Sequence, residues 1–383
     1  MVERTGSDKG IRLGIMFGGR SGEHEISLIS ARSVASAAVA KGYEIVGIGI
    51  TREGRWVYVP DALGFLSSGR TEVTPDCGPY CCLVPDGSRK GLLVEENSGF
   101  QRVPLDVVFP VLHGVYGEDG TIQGYLEICG IPYVGAPTLA SAICMDKDVT
   151  KRILREAGIP CLPARVVRRY SWERSKNAVI CSLLDSIHFP CFVKPSGSGS
   201  SLGAAMVKRP EDLPPALDKA LLYDWKALIE PALTGALEVE CSVLGNDEPE
   251  VSIPGQIVPA REFYDYEAKY VDPRTKLLIP AHIDETTASR VREIARRAFL
   301  ATECQGMARV DFFVLPATGE VYVNELNTIP GFTSVSMYPK LWEASGLPYP
   351  DLVGKLVDLA LERQKNSWKH VLPVAGEISC QVD

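Results

Sequence analysis

The stretches "ARVDFF" (308–313) and "VYVNELN" (321–327) place acids and an amide where a buried strand should be apolar. Alternate side chains of a strand share a face. By that rule Arg309, Asp311 and Phe313 stand together. Glu325 and Asn327 are then expected on the face of Val321 and Val323. Unpaired buried charge is costly, so such groups either meet solvent or bind something. Asp311, Glu325 and Asn327 offer only oxygen donors, the hard set that suits Mg²⁺ completed by water and phosphate oxygens. Arg309 could stabilise phosphate or oxyanion charge, and Gly331, after Pro330, lets a backbone N–H approach a reacting carbon. An interstrand ion network would account for the charges but not for the amide and the glycine.

Other stretches add anion and nucleotide chemistry. "FVKPSGSGSSLG" (192–203) sets Lys194 before a loop of glycine and serine, whose N–H groups can approach a phosphate closely. The lysine precedes the loop, so this is not the Walker spacing. "KALIEPALTGALEVE" (226–240) runs from an apolar strand to Glu230 and then Glu238, a carboxylate suited to a ribose. Pro231 lacks an N–H, so the donor to an adenine edge falls to a neighbour such as Leu233. Lys147 stands near the start of the helix in "CMDKDVTKRILREAGIP". "GGRSGEHEIS" (18–27) follows a strand directly, and Glu23 and Glu25 suit an ammonium better than a pyrophosphate. In "HGVYGEDG" (113–120), His113 could contact an anion or a carboxylate, and Glu118 and Asp119 could cap the helix that follows.

The elements that position these groups follow from periodicity. Residues 11–17, 44–50 and 106–111 read as apolar strands, and 25–41 and 120–129 as helices, giving alternating units around a mainly parallel sheet. A helix then stops at Gly158 before Pro160. Strands at 189–194, 203–207 and 226–230, with a helix at 211–222, form a small α+β unit. Strands at 237–244, 255–258, 307–315 and 320–326 follow, with a helix at 286–303 and two more after 337. Three regions result: 1–135, 136–234 and 235–383.

Composition narrows the class. A net charge of −8 with no dense basic run disfavours nucleic acid or an anionic membrane as partner. No apolar stretch spans a bilayer, and "MVERTGSDKG" lacks a signal-peptide core, so a cytoplasmic location is expected. Eleven scattered cysteines without CxxC pairing read as free thiols.

Taken in order, "GGRSGEHEIS", "HGVYGEDGTIQG", "MDK", "VKPSGSGSSLG", "EFYDYEAKY", "RVDFF" and "NELNTIPGFTSVSMYP" resemble the D-alanine–D-alanine ligases of the ATP-grasp superfamily. The resemblance spans about residues 11–350 and implies a three-domain α/β architecture, with an N-terminal parallel-sheet domain and two α+β domains enclosing ATP. It implies ATP as co-substrate, two Mg²⁺ (or Mn²⁺) ions, and D-alanyl-D-alanine formed through an acyl phosphate as a peptidoglycan precursor. By motif position, Glu23 would hold the first substrate's ammonium and His113 its carboxylate. Lys147 and Lys194 would contact phosphates, Glu230 and Leu233 the adenine edge, and Glu238 the ribose. Asp311, Glu325 and Asn327 would hold the metals, with Glu325 bridging. Arg309 and the Gly331 N–H would stabilise the oxyanion, while Lys269 and Ser336 would meet phosphate and the second carboxylate. Ser200 and Tyr270 would bond with Glu23 to close a lid, and Met337 would lie near the second subsite. The resemblance also implies a homodimer.

Two features depart from the family pattern: Gly197 and Ser198 where larger residues are common, and Pro231 where a long polar one is. D-Serine as acceptor is the alternative, since a pocket rejects one extra hydroxyl poorly. A D-lactate acceptor is disfavoured by the intact Tyr270. A non-catalytic receptor would need neither "RVD" nor "NELN", and another ATP-grasp ligase would lack the "EAKY" and "GGRSGEHEIS" pairing.

Overall fold

A computed structural model describes residues 10–86, 90–199, 202–258 and 275–367. The first region contains β1 (Arg12–Gly18), α1 (His24–Ala40), β2 (Glu44–Ile50), β3 (Trp56–Val59), α2 (Ala62–Ser67), β4 (Cys81–Leu83), β5 (Leu92–Glu96), β6 (Gly99–Val103), β7 (Val107–Pro110) and α3 (Thr121–Ile128). Its main sheet runs β3-β2-β1-β7, with β1 parallel to both β2 and β7 and β3 antiparallel at the edge. β1 is apolar from Leu13 onward because both faces are covered there. Leu13, Ile15 and Phe17 meet Ala31, Val34 and Ala38 of α1, whereas Met16 packs with Ile122 and Leu126 of α3. A separate antiparallel sheet, β4-β5-β6, lies under the second face and was not foreseen from sequence.

The second region holds α4 (Thr138–Met145), α5 (Lys147–Glu156), β8 (Arg165–Arg168), α6 (Arg169–Arg174), α7 (Lys176–Leu184), β9 (Cys191–Pro195), β10 (Ala205–Val207), α8 (Leu213–Tyr223) and β11 (Lys226–Pro231). The sheet β10-β9-β11-β8 is antiparallel. Alternation divides its strands: Val193, Ala227 and Ile229 pack with Leu217 and Leu221 of α8, while Phe192, Lys194 and Glu230 line a cavity on the other side. Asp146 caps α5 by accepting from the backbone N–H of Asp148 (3.1 Å) and Val149 (3.2 Å), which fixes Lys147 as its first residue.

The third region holds β12 (Leu237–Gly245), β13 (Glu250–Val251), β14 (Gly255–Val258), β15 (Lys276–Leu278), α9 (Glu285–Ala301), β16 (Gly306–Leu315), β17 (Glu320–Asn327), α10 (Met337–Ala344) and α11 (Tyr349–Ser367). The order β15-β14-β12-β16-β17, with β13 beside β12, builds its sheet. One face carries Val239, Val310, Phe312, Val323 and Leu326 against Val291 and Ala295 of α9. α11 returns to the first region, where Leu352, Leu356 and Val357 share a core with α1 and β1.

One expected facing is corrected. Asp311 pairs with Glu325 but Phe312 pairs with Val323, so Asn324 is an extra residue in a β-bulge. The bulge reverses the alternation. Val321, Val323 and Leu326 point into the core, and Glu325 and Asn327 lie on the opposite face from them.

Because α11 completes the core on α1, Leu356→Ala, at a side chain 1% exposed, should lower stability by about 2–5 kcal/mol. Chemical denaturation checks this; an unchanged midpoint would show that α11 is not part of that core.

Candidate active site

The polar faces of the second and third sheets enclose a cavity of about 870 Å³, within the ~300–1,000 Å³ usual for small-molecule sites. Lys147, Lys194, Glu230, Leu233, Glu238, Asp311 and Glu325 all line it, so the structure brings seven of the expected residues together. Ile257, Phe192 and Leu162 supply apolar walls.

At its floor, the β16–β17 register places Asp311 opposite Glu325 and Arg309 opposite Asn327. Arg309 donates to both Asp311 oxygens at 2.7 Å, and Asn327 Nδ2 donates to Asp311 Oδ2 at 3.0 Å. Glu240 of β12, buried and absent from the sequence reading, lies 3.1 Å from Arg309 Nε. Lys147 Nζ lies 3.2 Å from Glu325 Oε2 and donates to the Ser198 carbonyl at 2.9 Å. Two carboxylates and an amide converging from neighbouring strands fit a hard divalent cation that takes its remaining ligands from phosphate and water.

Glu230 stands at the end of β11 in that lining. Its carboxylate is buried between Lys151 and Lys194, 2.6 Å from each ammonium. Burial acts to raise its carboxyl, but the two lysines outweigh this and hold it below the ordinary value. Pro231 and Leu233 follow it in the same lining.

The glycine-rich loop is fixed at its start by charge. Ser196 Oγ donates to Asp146 Oδ1 at 2.6 Å, Lys226 Nζ donates to Asp146 Oδ2 at 2.5 Å, and the Gly197 N–H donates to Asp224 Oδ2 at 2.7 Å. Lys226 is 2% exposed, so this anchor is interior. The loop then runs to Glu23: a Cβ placed on Gly199 would lie 3.6 Å from Glu23 Oε2. Gly114, at φ +75°, approaches the same oxygen, and a Cβ there would lie 3.1 Å from it.

His113 is buried behind Glu23. Its Nε2 is 3.1 Å from Ser30 Oγ and its Nδ1 is 3.6 Å from Glu118 Oε1. Burial alone would lower the imidazole's pKa, yet Glu118 and Glu23 raise it above the ordinary value; burial likewise raises Glu118. Glu118 is therefore the histidine's partner and not a helix cap. Asp119 binds the N–H and hydroxyl of Thr121, at 3.0 and 2.6 Å. The Phe332 N–H reaches Ser30 Oγ at 3.4 Å, which ties this cluster to the Gly331 loop. A Cβ on Gly331 would lie 2.8 Å from Ser336 Oγ, so the two expected residues touch, and Ser336 Oγ also meets Thr333 Oγ1 at 2.8 Å.

Met337, expected near the second subsite, lies at the start of α10. It is 4% exposed and packs with Ile257 and Leu341 in a small core. Ser200, Lys269 and Tyr270 lie outside the described residues. The ten cysteines among the described residues are all free.

Comparison with known proteins places this arrangement. Residues 12–136 match the model of the D-ala D-ala ligase N-terminus, and residues 153–358 match that of the D-ala D-ala ligase C-terminus. A D-alanine–D-alanine ligase of Caldicellulosiruptor bescii is 47% identical over 362 residues, covering 94% of this chain and 98% of its own. The structure of the D-alanine-D-alanine ligase from Coxiella burnetii is similar at TM-score 0.80 and 36% identity, covering 94% of this chain and 96% of that one. The VanG D-Ala:D-Ser ligase from Enterococcus faecalis is similar at TM-score 0.80 and 35% identity, covering 92% and 100%. The chain belongs to the D-ala D-ala ligase family and has its ATP-grasp fold.

The fork of Arg309 is what a lysine cannot reproduce. Arg309→Lys, which keeps the charge, should cost about 1–3 kcal/mol because Asp311 and Glu240 lose paired donors. Equal denaturation midpoints for the two proteins would contradict this.

Proposed function

We propose that this chain joins two D-alanines into D-alanyl-D-alanine with cleavage of ATP to ADP and phosphate, a step that supplies a peptidoglycan precursor. One observation carries the reading. Lys147 bonds both Glu325 in the nucleotide cavity and the Ser198 carbonyl of the loop that continues to Glu23. Nucleotide and amino-acid subsites are thereby parts of a single site.

In this reading Leu233 and the backbone beside Pro231 receive the adenine, Glu238 the ribose, and Lys147 and Lys194 the phosphates. Glu23 holds the first D-alanine's ammonium, and His113, its pKa raised by Glu118, faces its carboxylate. That carboxylate oxygen attacks the γ-phosphorus as the bond to ADP breaks, giving an acyl phosphate. The second D-alanine's amine then attacks the acyl carbon. Arg309 and the Gly331 N–H stabilise the oxyanion, with Ser336 on the second carboxylate. Collapse breaks the carbon–oxygen bond, phosphate leaves and the amine loses its proton. Asp311, Glu325 and Asn327 would hold Mg²⁺, which when bound neutralises charge on the transferring phosphoryl group. Ser200, Lys269 and Tyr270 keep the lid and phosphate roles that the family resemblance implies. The three-way division at about 135 and 234, a homodimer, and a cytoplasmic location belong to the same proposal; among the described residues no helix is long and apolar enough to cross a membrane.

Glu325→Gln keeps size and removes charge. Phosphate release from ATP, Mg²⁺ and D-alanine should fall on the order of a thousand-fold with an unchanged circular dichroism spectrum. Near-normal release would remove the metal assignment. The similarity to VanG makes D-serine the competing acceptor. Mass analysis of products from an equimolar mixture of D-alanine, D-serine and D-lactate should show D-alanyl-D-alanine dominant. A serine dipeptide in excess would shift the assignment to the second acceptor.

A further inference from the structure

Lys151 stands one turn after Lys147 on α5, and it is 1% exposed. Its ammonium lies 2.6 Å from Glu230 Oε1 and donates to the Leu162 carbonyl at 3.3 Å. The other Glu230 oxygen is 2.6 Å from Lys194 Nζ, which also donates to Asn324 Oδ1 at 3.3 Å. One buried carboxylate therefore sits between two lysines of unequal freedom. Lys151 is enclosed and does not line the cavity, whereas Lys194 does.

We propose that Lys151 is a positioning residue for nucleotide binding, holding the Glu230 charge so that Lys194 can leave that carboxylate for the phosphates of ATP. The proposal rests on the ligase reading above. A polyphosphate competes with Glu230 for the Lys194 ammonium. If Glu230 had no second cation, moving Lys194 would strand a buried anion, and breaking a buried pair in that way is costly. With Lys151 fixed by Glu230 and the Leu162 carbonyl, Glu230 keeps a cation at 2.6 Å whichever way Lys194 turns. α5 thus carries one lysine to the substrate side of the site and a second to the carboxylate behind it. Lys151 touches no substrate in this account; it acts through Glu230 and Lys194.

The test is a double-variant cycle on ATP binding, read by calorimetric titration and by KM in the ligase assay. Lys151→Met should weaken ATP about tenfold or more while the KM for D-alanine changes about twofold at most. In a Glu230→Gln background no carboxylate needs neutralising, so adding Lys151→Met should change ATP affinity by less than about twofold. Lys151→Arg, which retains charge and donors, should bind ATP like the parent. An equal loss in both backgrounds, or parallel rises in KM for ATP and D-alanine, overturns the proposal. Should Lys151→Met alone fail to fold, Glu230→Gln with and without Lys151→Met decides: a large further loss of ATP affinity overturns it and none supports it. A parent protein that binds ATP but makes no dipeptide would sink the ligase reading, and the calorimetric cycle would still judge Lys151.

Discussion

The site depends on the antiparallel pairing of β16 with β17, and on the bulge that interrupts it. Regular pairing brings directly opposed side chains close together, and here it opposes Asp311 to Glu325 and Arg309 to Asn327. Were the pairing regular through Asn324, the core positions Val321 and Val323 and the polar positions Glu325 and Asn327 would fall on one face. The bulge separates them, so a single strand contributes to the hydrophobic core at one end and to the cavity at the other. It also leaves the Asn324 amide within reach of Lys194.

Around that floor, buried charge is held in short chains of unlike sign. Glu240, Arg309 and Asp311 form one chain, Lys151, Glu230 and Lys194 another, and Asp146, Lys226 and Asp148 a third. Isolated, each of these groups would be expensive inside the protein. Paired, they fix the cations of the cavity and the start of the loop that reaches Glu23. The same logic sets His113, whose pKa is raised above the ordinary imidazole value because Glu118 and Glu23 face it, against the penalty of burial. The chemistry proposed for the site, carboxylate activation by phosphoryl transfer, needs such fixed charges and little else.

Much of this was legible in the sequence because it rests on local pattern. Apolar runs and turn residues located β1, β2, β9, β11, β12, β16 and β17 to within a few residues. The oxygen-only set Asp311, Glu325 and Asn327 marks this floor in the sequence, since its donors suit a hard cation. What was not legible needs tertiary context. A one-residue bulge leaves no signature in alternation, so Glu325 and Asn327 were read on the wrong face. Lys151 looks like any helix lysine until Glu230 is found against it, and Glu240 looks like the polar half of an amphipathic strand. The short strands Cys81–Leu83, Leu92–Glu96 and Gly99–Val103 lack a sustained period. The return of residues 349–367 to the first core is a long-range contact that no local rule predicts.

The central claim is that this site activates a carboxylate by phosphorylating it. D-Alanine labelled with oxygen-18 in its carboxylate tests that directly, with unlabelled ATP and mass analysis of the inorganic phosphate released. Attack of the carboxylate on the γ-phosphorus, then displacement by the second amine, carries one labelled oxygen per turnover into phosphate. Phosphate bearing a single labelled oxygen is the predicted result. Dipeptide formed together with unlabelled phosphate would contradict it.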